Sequence, residues 1–451
     1  MRDHSTHIEF ARHDAVEHML HELEGCGFGG SGSVGKERVA LNESFERVLA
    51  EDIRVKTDVP NVLTCCLDSI AVHWDDFADL GDGELPDTSS WVRGIDWEFA
   101  NTGVAMPAGF DTAIVIERVR VSDDEKHVEL TAAPSERFAG TRPAGATMKR
   151  GQVALEAGTL ITPDVAARIA SAGHASVTVR SRPRVAFLPT GDELVPPNLP
   201  LSESSPEKFA GAGHVYESNS AVVQGKVEAW GGVFVPFDII ADDYDAIKET
   251  VLAATKAADI VVLNAGSSKG SEDWSVEVLE EIGRVIYHQT NHGPGHHSFF
   301  AMVEDVPIVG ISGPSGGVSF TLEFYLQPAM KAFLGLDPQP VLIPARLKGS
   351  FGKNRFARKE GASSRIAGEE RPPEATTPGS SFYSVRFMEL IAEADGTLSA
   401  TPVAGKAGSP ETQHANAMYM LPAAADAVFP EEGAIIEVEL RSGCTIRPRS
   451  A

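Results

Sequence analysis

The sequence predicts a multidomain chain of mixed α/β plus β class, with one parallel-sheet α/β domain flanked by small β-rich domains. Three observations predict it. The 451 residues exceed what one hydrophobic core holds, since domains usually run ~100–200 residues. From Arg184 to Leu336, apolar strand-like runs alternate with helical stretches, the pattern of a parallel sheet covered on both faces. On either side, short segments broken by turn residues replace that alternation.

The elements follow in chain order. Residues 8–23 form an amphipathic helix with Phe10, Val16, Met19 and Leu20 on one face. GCGFGGSGSVGK (25–36) is a flexible linker; it lacks the GxxxxGK[ST] spacing of a phosphate-binding loop. Residues 43–52 form a short helix. From 53 to about 180 the chain reads as short strands and turns, including 112–121, 127–132, 160–173 and 176–183.

In the α/β stretch the expected order is strand 185–189, helix 218–232, strand 233–240, helix 244–258, strand 259–266, helix 274–283, strand 306–313 and closing helix 318–335. Pro338, Pro340 and Pro344 mark a boundary. Segment 364–381, rich in Pro, Glu, Ser and Thr, is a mobile loop, and 381–405 with 433–442 supply strands of a small C-terminal β-domain.

Composition narrows the function. Hydrophobic content of 42% and charged content of 23% are ordinary for a globular protein. A net charge of −25 argues against DNA or RNA, which need a basic face, but not against a small anion held by backbone N–H groups. No apolar run approaches the ~18 residues of a membrane span, and the first residues carry no apolar signal core, so a cytoplasmic, membrane-free location is expected. Cys26, Cys65, Cys66 and Cys444 have the spacing of neither a zinc site nor a disulfide framework, which fits reduced thiols.

The candidate chemistry sits just after the apolar strands. Thr190-Gly191-Asp192-Glu193 follows the first. Ser267, Ser268, Lys269, Gly270, Ser271, Glu272 and Asp273 follow DIVVLNAG, which ends on Gly266. Ser312-Gly313-Pro314-Ser315-Gly316-Gly317 follows the last. Loops at strand carboxyl ends converge on one rim. Gly–Ser loops present N–H groups to phosphate. Glu193, Asp242 and Asp273 would repel phosphate alone, so their expected role is to hold Mg²⁺, which takes one or two carboxylates with phosphate oxygens and water. The plainer alternative is that these clusters only turn the chain and cap the next helices.

At this point a resemblance becomes specific. PTGDELV, YESNS, IIADDYDAI, LNAGSSKGSED and GISGPSGGVSFTLEFYLQP resemble, in order and spacing, the molybdenum cofactor-binding domain. The flanks resemble the longer family that carries it, the molybdopterin molybdenumtransferases, MoeA-like proteins related to the gephyrin E domain. The matching flanks are VPNVLTCCLDSIAV (59–72), NTGVAMPAGFDTAIVIE (101–117), GQVALEAGTLITPDVAARIASAG (151–173) and KAGSPETQHANAMYMLP (406–422).

The resemblance implies an N-terminal helix (1–24) packed on the α/β domain, domain I (37–58 and 148–183), an inserted domain II (59–147), domain III (184–336) and a C-terminal β-barrel (338–451). It implies a reaction too. Adenylylated molybdopterin binds with Mg²⁺, molybdate is inserted at the dithiolene, and AMP leaves. A homodimer is implied, and molybdopterin adenylyltransferase or molybdoenzyme-maturation proteins are possible partners.

Carried over, Asp68 and Thr102 match the family's aspartate and Thr-Gly turn, and Glu193, Asp242 and Asp273 its acidic set. Thr190, Gly191, Asp192, Asn219, Gly266, Ser267, Ser268, Gly270, Gly313, Pro314 and Ser319 fall on its ligand-facing loops, with His296, Arg386 and Ser409 as further contacts.

The departures are specific. The signature N-S-A-M-D-G-Y-A is here Thr64 to Ala71, with Cys65 and Cys66 in place of small residues. R-x-x-G-E-D becomes Arg142 to Thr147 without its acids. The lysine-bearing K-P-G-K-P becomes Gly293-Pro294-Gly295-His296-His297. Lysines hold an oxyanion at any physiological pH, whereas His292, His296 and His297 do so only when protonated. Soft thiolates at Cys65 and Cys66 would suit a dithiolene or metal oxoanion; packing is the plainer reading. An active transferase is the expectation. Its rivals are a carrier that binds molybdopterin without turnover, or a site for another oxoanion such as tungstate.

Overall fold

The computed structural model describes residues 10–28, 35–81, 83–198, 215–265, 274–313, 315–351, 382–405, 410–423 and 427–448. They form two compact units, one from Lys36–Arg180, the other from Met1–Gly35 with Ser181–Ala451.

In the larger unit, six strands form one sheet in the order Val233–Pro236, Arg184–Pro189, Ile260–Ala265, Val306–Ser312, Phe299–Val303, Arg284–His288. The first four run parallel. Phe299–Val303 runs antiparallel to both its neighbours, Val306–Ser312 and Arg284–His288, so the sheet is mixed rather than parallel. The cause is a tight hairpin between Val303 and Val306, whose two turn residues Glu304 and Asp305 both take positive φ (49° and 64°), the twist a two-residue hairpin requires.

Helices Asn219–Ala229, Tyr244–Ala257 and Ser275–Ile282 fall where the sequence predicts them. The closing helix comes in three pieces: Ser315–Thr321, a π-turn over Leu322–Leu326, and Gln327–Leu334. Pro328 lacks the N–H that the carbonyl of Phe324 would take, and the chain widens ahead of it. Strands Arg184–Pro189 and Ile260–Ala265 bury side chains on both faces. Val185, Phe187, Ile260 and Val262 pack into one core, and Ala186, Leu188, Val261 and Leu263 into the other.

The N-terminal helix spans Arg12–Gly25. It places Ala15, Met19 and Leu23 in the first of those cores, with Phe10, Val16 and Leu20 at its edge. The apolar stripe therefore centres on Met19, rotated from the predicted face.

Leu342–Leu347, Tyr383–Ala392, Leu398–Pro402, Ala417–Pro422 and Ile435–Leu440 close into a β-barrel. Tyr383–Ala392 pairs with both Leu398–Pro402 and Ala417–Pro422 and so shuts the ring. Leu347, Met388, Leu390, Ala400, Leu421 and Val438 fill it. The predicted mobile loop at 364–381 lies outside the described residues, as do 29–34 of the predicted linker.

The smaller unit is built of short antiparallel pairs: Lys36–Ala40 with Ser176–Arg180, Ile53–Arg54 with Val153–Leu155, and Thr64–Cys65 with Thr141–Arg142. A three-stranded sheet has Ser69–Val72 between Trp97–Ala100 and Thr112–Val115. Two expectations fail here. Residues 43–52 are not a helix; the helical turn stops at Glu43, Glu46 takes φ 59°, and Val48 and Leu49 make β-bridges into the core. Segment 160–173 is not strand and turn but carries the helix Pro163–Ser171. The Thr162 side chain caps it by accepting from Val165 N, and Pro163 opens it.

Candidate functional site

The rim forms where Arg184–Pro189, Ile260–Ala265 and Val306–Ser312 end side by side. At the first end, Thr190 pairs with Ile240, and its hydroxyl donates to the carbonyl of Asn264. Gly191 N donates to Ile240 O at 3.1 Å. Gly191 holds φ 147°, and a Cβ there would lie 2.7 Å from Glu193 Oε2, so the turn admits only glycine while it curls the Glu193 carboxylate back over itself. Asp192 and Asp242 face each other. Each backbone N–H donates to the other's carboxylate at 3.3 Å. Asp243 caps the next helix by accepting from Ala246 N at 2.9 Å. Asp192 and Asp242 are thus brought together, and the Glu193 carboxylate lies against Gly191 in the same turn.

At the second end, Asn264 is buried, and its Oδ1 accepts from Asn219 Nδ2 at 2.9 Å. The same amide donates to Gly313 O at 2.9 Å, which ties the third strand end to the other two. Among the described residues, buried Asn219 Oδ1 has no hydrogen-bond partner. Sequence reasoning named Thr190, Asn219 and Gly313 but missed Asn264. The available signal was an amide at the end of an otherwise apolar run, IVVLNA.

Ser319 lies on the helix that opens beyond the third strand. Its Oγ accepts from Arg441 Nη2 at 3.0 Å. Arg441 also pairs with Glu323 at 3.2 Å, and Glu323 with Lys226 at 2.6 Å, while Glu323 is only 2% exposed. The domain IV arginine looked for in the sequence was Arg386. It lies on strand Tyr383–Ala392 opposite Tyr419, half-buried. A different arginine, Arg441, just past Ile435–Leu440, donates to Ser319.

The histidine loop packs against the same helix. Gly295 lies so close that a Cβ would sit 2.6 Å from Thr321 Cγ2, and one on Gly317 would meet Ser312 Oγ at 2.3 Å. His292 is fully buried. Its Nδ1 donates to Pro294 O at 3.0 Å, and its Nε2 accepts from the Tyr325 hydroxyl at 2.8 Å. Burial, reinforced by the nearby Arg12 charge, lowers its pKa to about 3. It is therefore neutral at physiological pH and supplies no charge in place of a lysine. His296 Nδ1 bonds the carbonyl of Thr290, and its ring meets His297 and Phe382.

In the smaller unit, Asp68 and Thr102 are brought together. Thr102 N and Oγ1 both donate to Asp68 Oδ1 at 2.9 Å, the backbone bond foremost, and hold that carboxyl below its usual range. Cys65 is buried with its thiol directed to the Leu67 carbonyl, and Cys66 is half-buried. Asp273, Gly266, Ser267, Ser268, Gly270, Pro314 and Ser409 lie outside the described residues. Among the described residues no cluster of three His, Cys, Asp or Glu is arranged for a metal ion, and no helix is long and apolar enough to cross a membrane.

Residues 10–173 match the family model described as the MoeA N-terminal region (domain I and II), and 186–332 match the probable molybdopterin binding domain. The chain is similar to a molybdopterin molybdenumtransferase of Haemophilus influenzae, 27% identical over 308 residues, 66% of this chain and 73% of that one. It is equally similar to a putative molybdopterin biosynthesis protein of Methanocaldococcus jannaschii, 27% identical over 329 residues, 71% and 80% of the two chains. In fold it resembles the molybdopterin biosynthesis MoeA protein of Pyrococcus horikoshii, with a TM-score of 0.66 and 21% identity, covering 96% of this chain and 100% of that one.

Proposed function

We propose, from the premise that this chain belongs to the MoeA-like family of molybdenum cofactor biosynthesis, that it inserts molybdate into adenylylated molybdopterin and releases AMP. The single observation that carries this reading is the carboxylate turn. Asp192 and Asp242 lock reciprocally, with the Glu193 carboxylate folded against Gly191 in the same turn, at the carboxyl rim of an α/β sheet.

That donor set fits a hard cation. Mg²⁺ needs only one or two carboxylates when phosphate oxygens and water complete its shell. Asp242 and Glu193 would hold it, with Asp273 as the third expected ligand. Bound there, the ion would neutralise phosphate charge at the scissile pyrophosphate. The chain's own groups do the rest. Gly191 and Gly313 let backbone approach the ligand, and the Asn219–Asn264 pair fixes the spacing of the strand ends. Within the smaller unit, Thr102 donates twice to Asp68 and fixes that carboxylate. We read the domains as 37–58 with 148–183, 59–147, 184–336 and 338–451, and the working form as a homodimer.

One observation favours the rival reading, a carrier without turnover. Gly293 stands where the family has a lysine, and the neighbouring His292 is neutral. A reconstitution decides between them. Purified protein receives adenylylated molybdopterin, Mg²⁺ and molybdate at pH 7, and AMP and metal-loaded cofactor are followed. Both are expected to appear, and Asp242→Ala or Glu193→Ala is expected to lower the rate by about 100-fold or more. Nucleotide that binds without AMP release would make the protein a carrier. Release supported by tungstate in preference to molybdate would reassign the oxoanion.

A further inference from the structure

Gly293 and His296 stand where the resembled family has lysines, yet two half-buried cations meet on the helices that follow the strand ends. Lys226 on the Asn219–Ala229 helix and Arg441 from the barrel side share one carboxylate, Glu323, at 2.6 and 3.2 Å. Among the described residues these two cations pair with one carboxylate, an excess of one positive charge in a chain whose net charge is −25. The cluster is well shielded, with side-chain exposures of 17% for Lys226, 16% for Arg441 and 2% for Glu323, so its field is little screened by salt.

Arg441 is held rigidly. Nη1 donates to Ala415 O at 3.0 Å, Nε and Nη2 reach Glu323 Oε1 at 3.3 and 3.2 Å, and the guanidinium lies 5.0 Å from the Phe387 ring centre. Its remaining bond, from Nη2, goes to Ser319 Oγ at 3.0 Å. A hydroxyl that accepts from a cation keeps its own proton for another acceptor, and polarisation by the cation strengthens that donation. Ser319 is half-buried, and among the described residues its proton is committed to no acceptor. Thr321, two residues on, does bond back to the Gly317 carbonyl at 3.3 Å, so the freedom of Ser319 belongs to that position and not to the helix in general.

We propose that Arg441 is a positioning residue that holds Ser319 as a hydrogen-bond donor to a tetrahedral oxyanion, and that the Lys226–Glu323–Arg441 cluster supplies the attraction that lysines supply where this chain has Gly293 and His296. The inference rests on the functional reading above and names the residues that serve its oxyanion. That oxyanion is either free molybdate or the phosphate of the nucleotide, and the test separates them.

Full-length protein is dialysed to equilibrium against molybdate in one arm and AMP in the other. The forms compared are wild type, Ser319→Ala, Arg441→Met, Arg441→Lys and the Ser319→Ala/Arg441→Met pair, with thermal midpoints measured alongside. Loss of a charge-assisted hydrogen bond predicts a drop of about tenfold in one arm for each single variant. The double variant should lose less than the product of the two single losses, because Arg441 acts in part through Ser319. Arg441→Lys should restore part of the affinity through charge alone. The arm that falls identifies the oxyanion. Unchanged affinity in both arms with a lowered midpoint would make the cluster a purely structural clamp and overturn the proposal, as would losses that multiply in the double variant. If Arg441→Met does not fold, Ser319→Ala, which leaves the cluster intact, decides alone. Wild-type protein that binds neither anion overturns the functional reading together with this one. Wild-type binding that the variants leave unchanged overturns only this one.

Discussion

A histidine in water takes its proton near pH ~6.5. His292, sealed between Phe324 and Tyr325, takes one only at about 3, because burial leaves an imidazolium without solvent and Arg12 adds repulsion. The consequence for stability has a definite sign. Below pH ~6.5 the unfolded chain gains a proton at this position and the folded chain does not, so this residue makes stability fall as pH falls. Its contribution is about 1.4 kcal/mol per pH unit, continuing until the folded form also protonates near 3. NMR of His292 should show a neutral ring at pH 5, and urea unfolding between pH 7 and 5 should lose stability more steeply in wild type than in His292→Gln. Equal slopes would mean the ring is hydrated. The same burial explains why this position cannot replace a lysine. Asp68 shifts downward by a different route, two donated hydrogen bonds from Thr102, and stays charged wherever the protein works.

Elements were legible in proportion to their periodicity. Strands such as Arg184–Pro189 and Ile260–Ala265, buried on both faces, announce themselves as continuous apolar runs. Strand Phe299–Val303 did not, because its hairpin to Val306–Ser312 turns on Glu304-Asp305 rather than on Gly or Asn. Helix Pro163–Ser171 was hidden in a stretch read as strands, although its start carries the signal Thr162-Pro163. That cap gives a direct check. Thr162→Ala removes the acceptor for Val165 N and should cost about 1 kcal/mol, while Thr162→Ser should cost little. Denaturant titration measures both, and equal losses would show that the methyl, not the hydroxyl, matters. Within the site, residues were legible where they end a strand: Thr190, Glu193 and Gly313 sit at rims that topology alone locates. Arg441 and Glu323 were not, since the bond that gives each its role spans 118 positions of sequence, and no local pattern encodes it.

At the scale of the larger unit, the N-terminal helix, the α/β core and the barrel meet at Arg12. Arg12 lays its guanidinium 3.5 Å over the centre of the Phe324 ring and donates both Nη groups to Glu439 of the barrel strand Ile435–Leu440, at 2.6 and 2.9 Å. Its backbone N–H donates to Asn291 Oδ1 at 3.1 Å, at the start of the histidine loop. One side chain therefore touches three parts of the unit. Their apolar surfaces also merge, with Met19 and Leu23 of the helix and Phe387 and Met418 of the barrel in the same core as Phe324. The pair is 17% and 11% exposed, between the open-surface case, worth ~0.5 kcal/mol, and the buried case, where loss of one partner costs 3–5 kcal/mol. A double-mutant cycle with Arg12→Met and Glu439→Gln should accordingly return a coupling of about 1–3 kcal/mol, and one that persists in 0.5 M salt because the bidentate contact excludes solvent. Calorimetry of the same variants adds a second reading. If helix, sheet and barrel unfold as one body, each single variant lowers one shared transition. If a separate barrel transition emerges in Arg12→Met while the rest is unmoved, neither the merged apolar core nor the Arg441–Glu323 pair suffices to couple them without this ion pair.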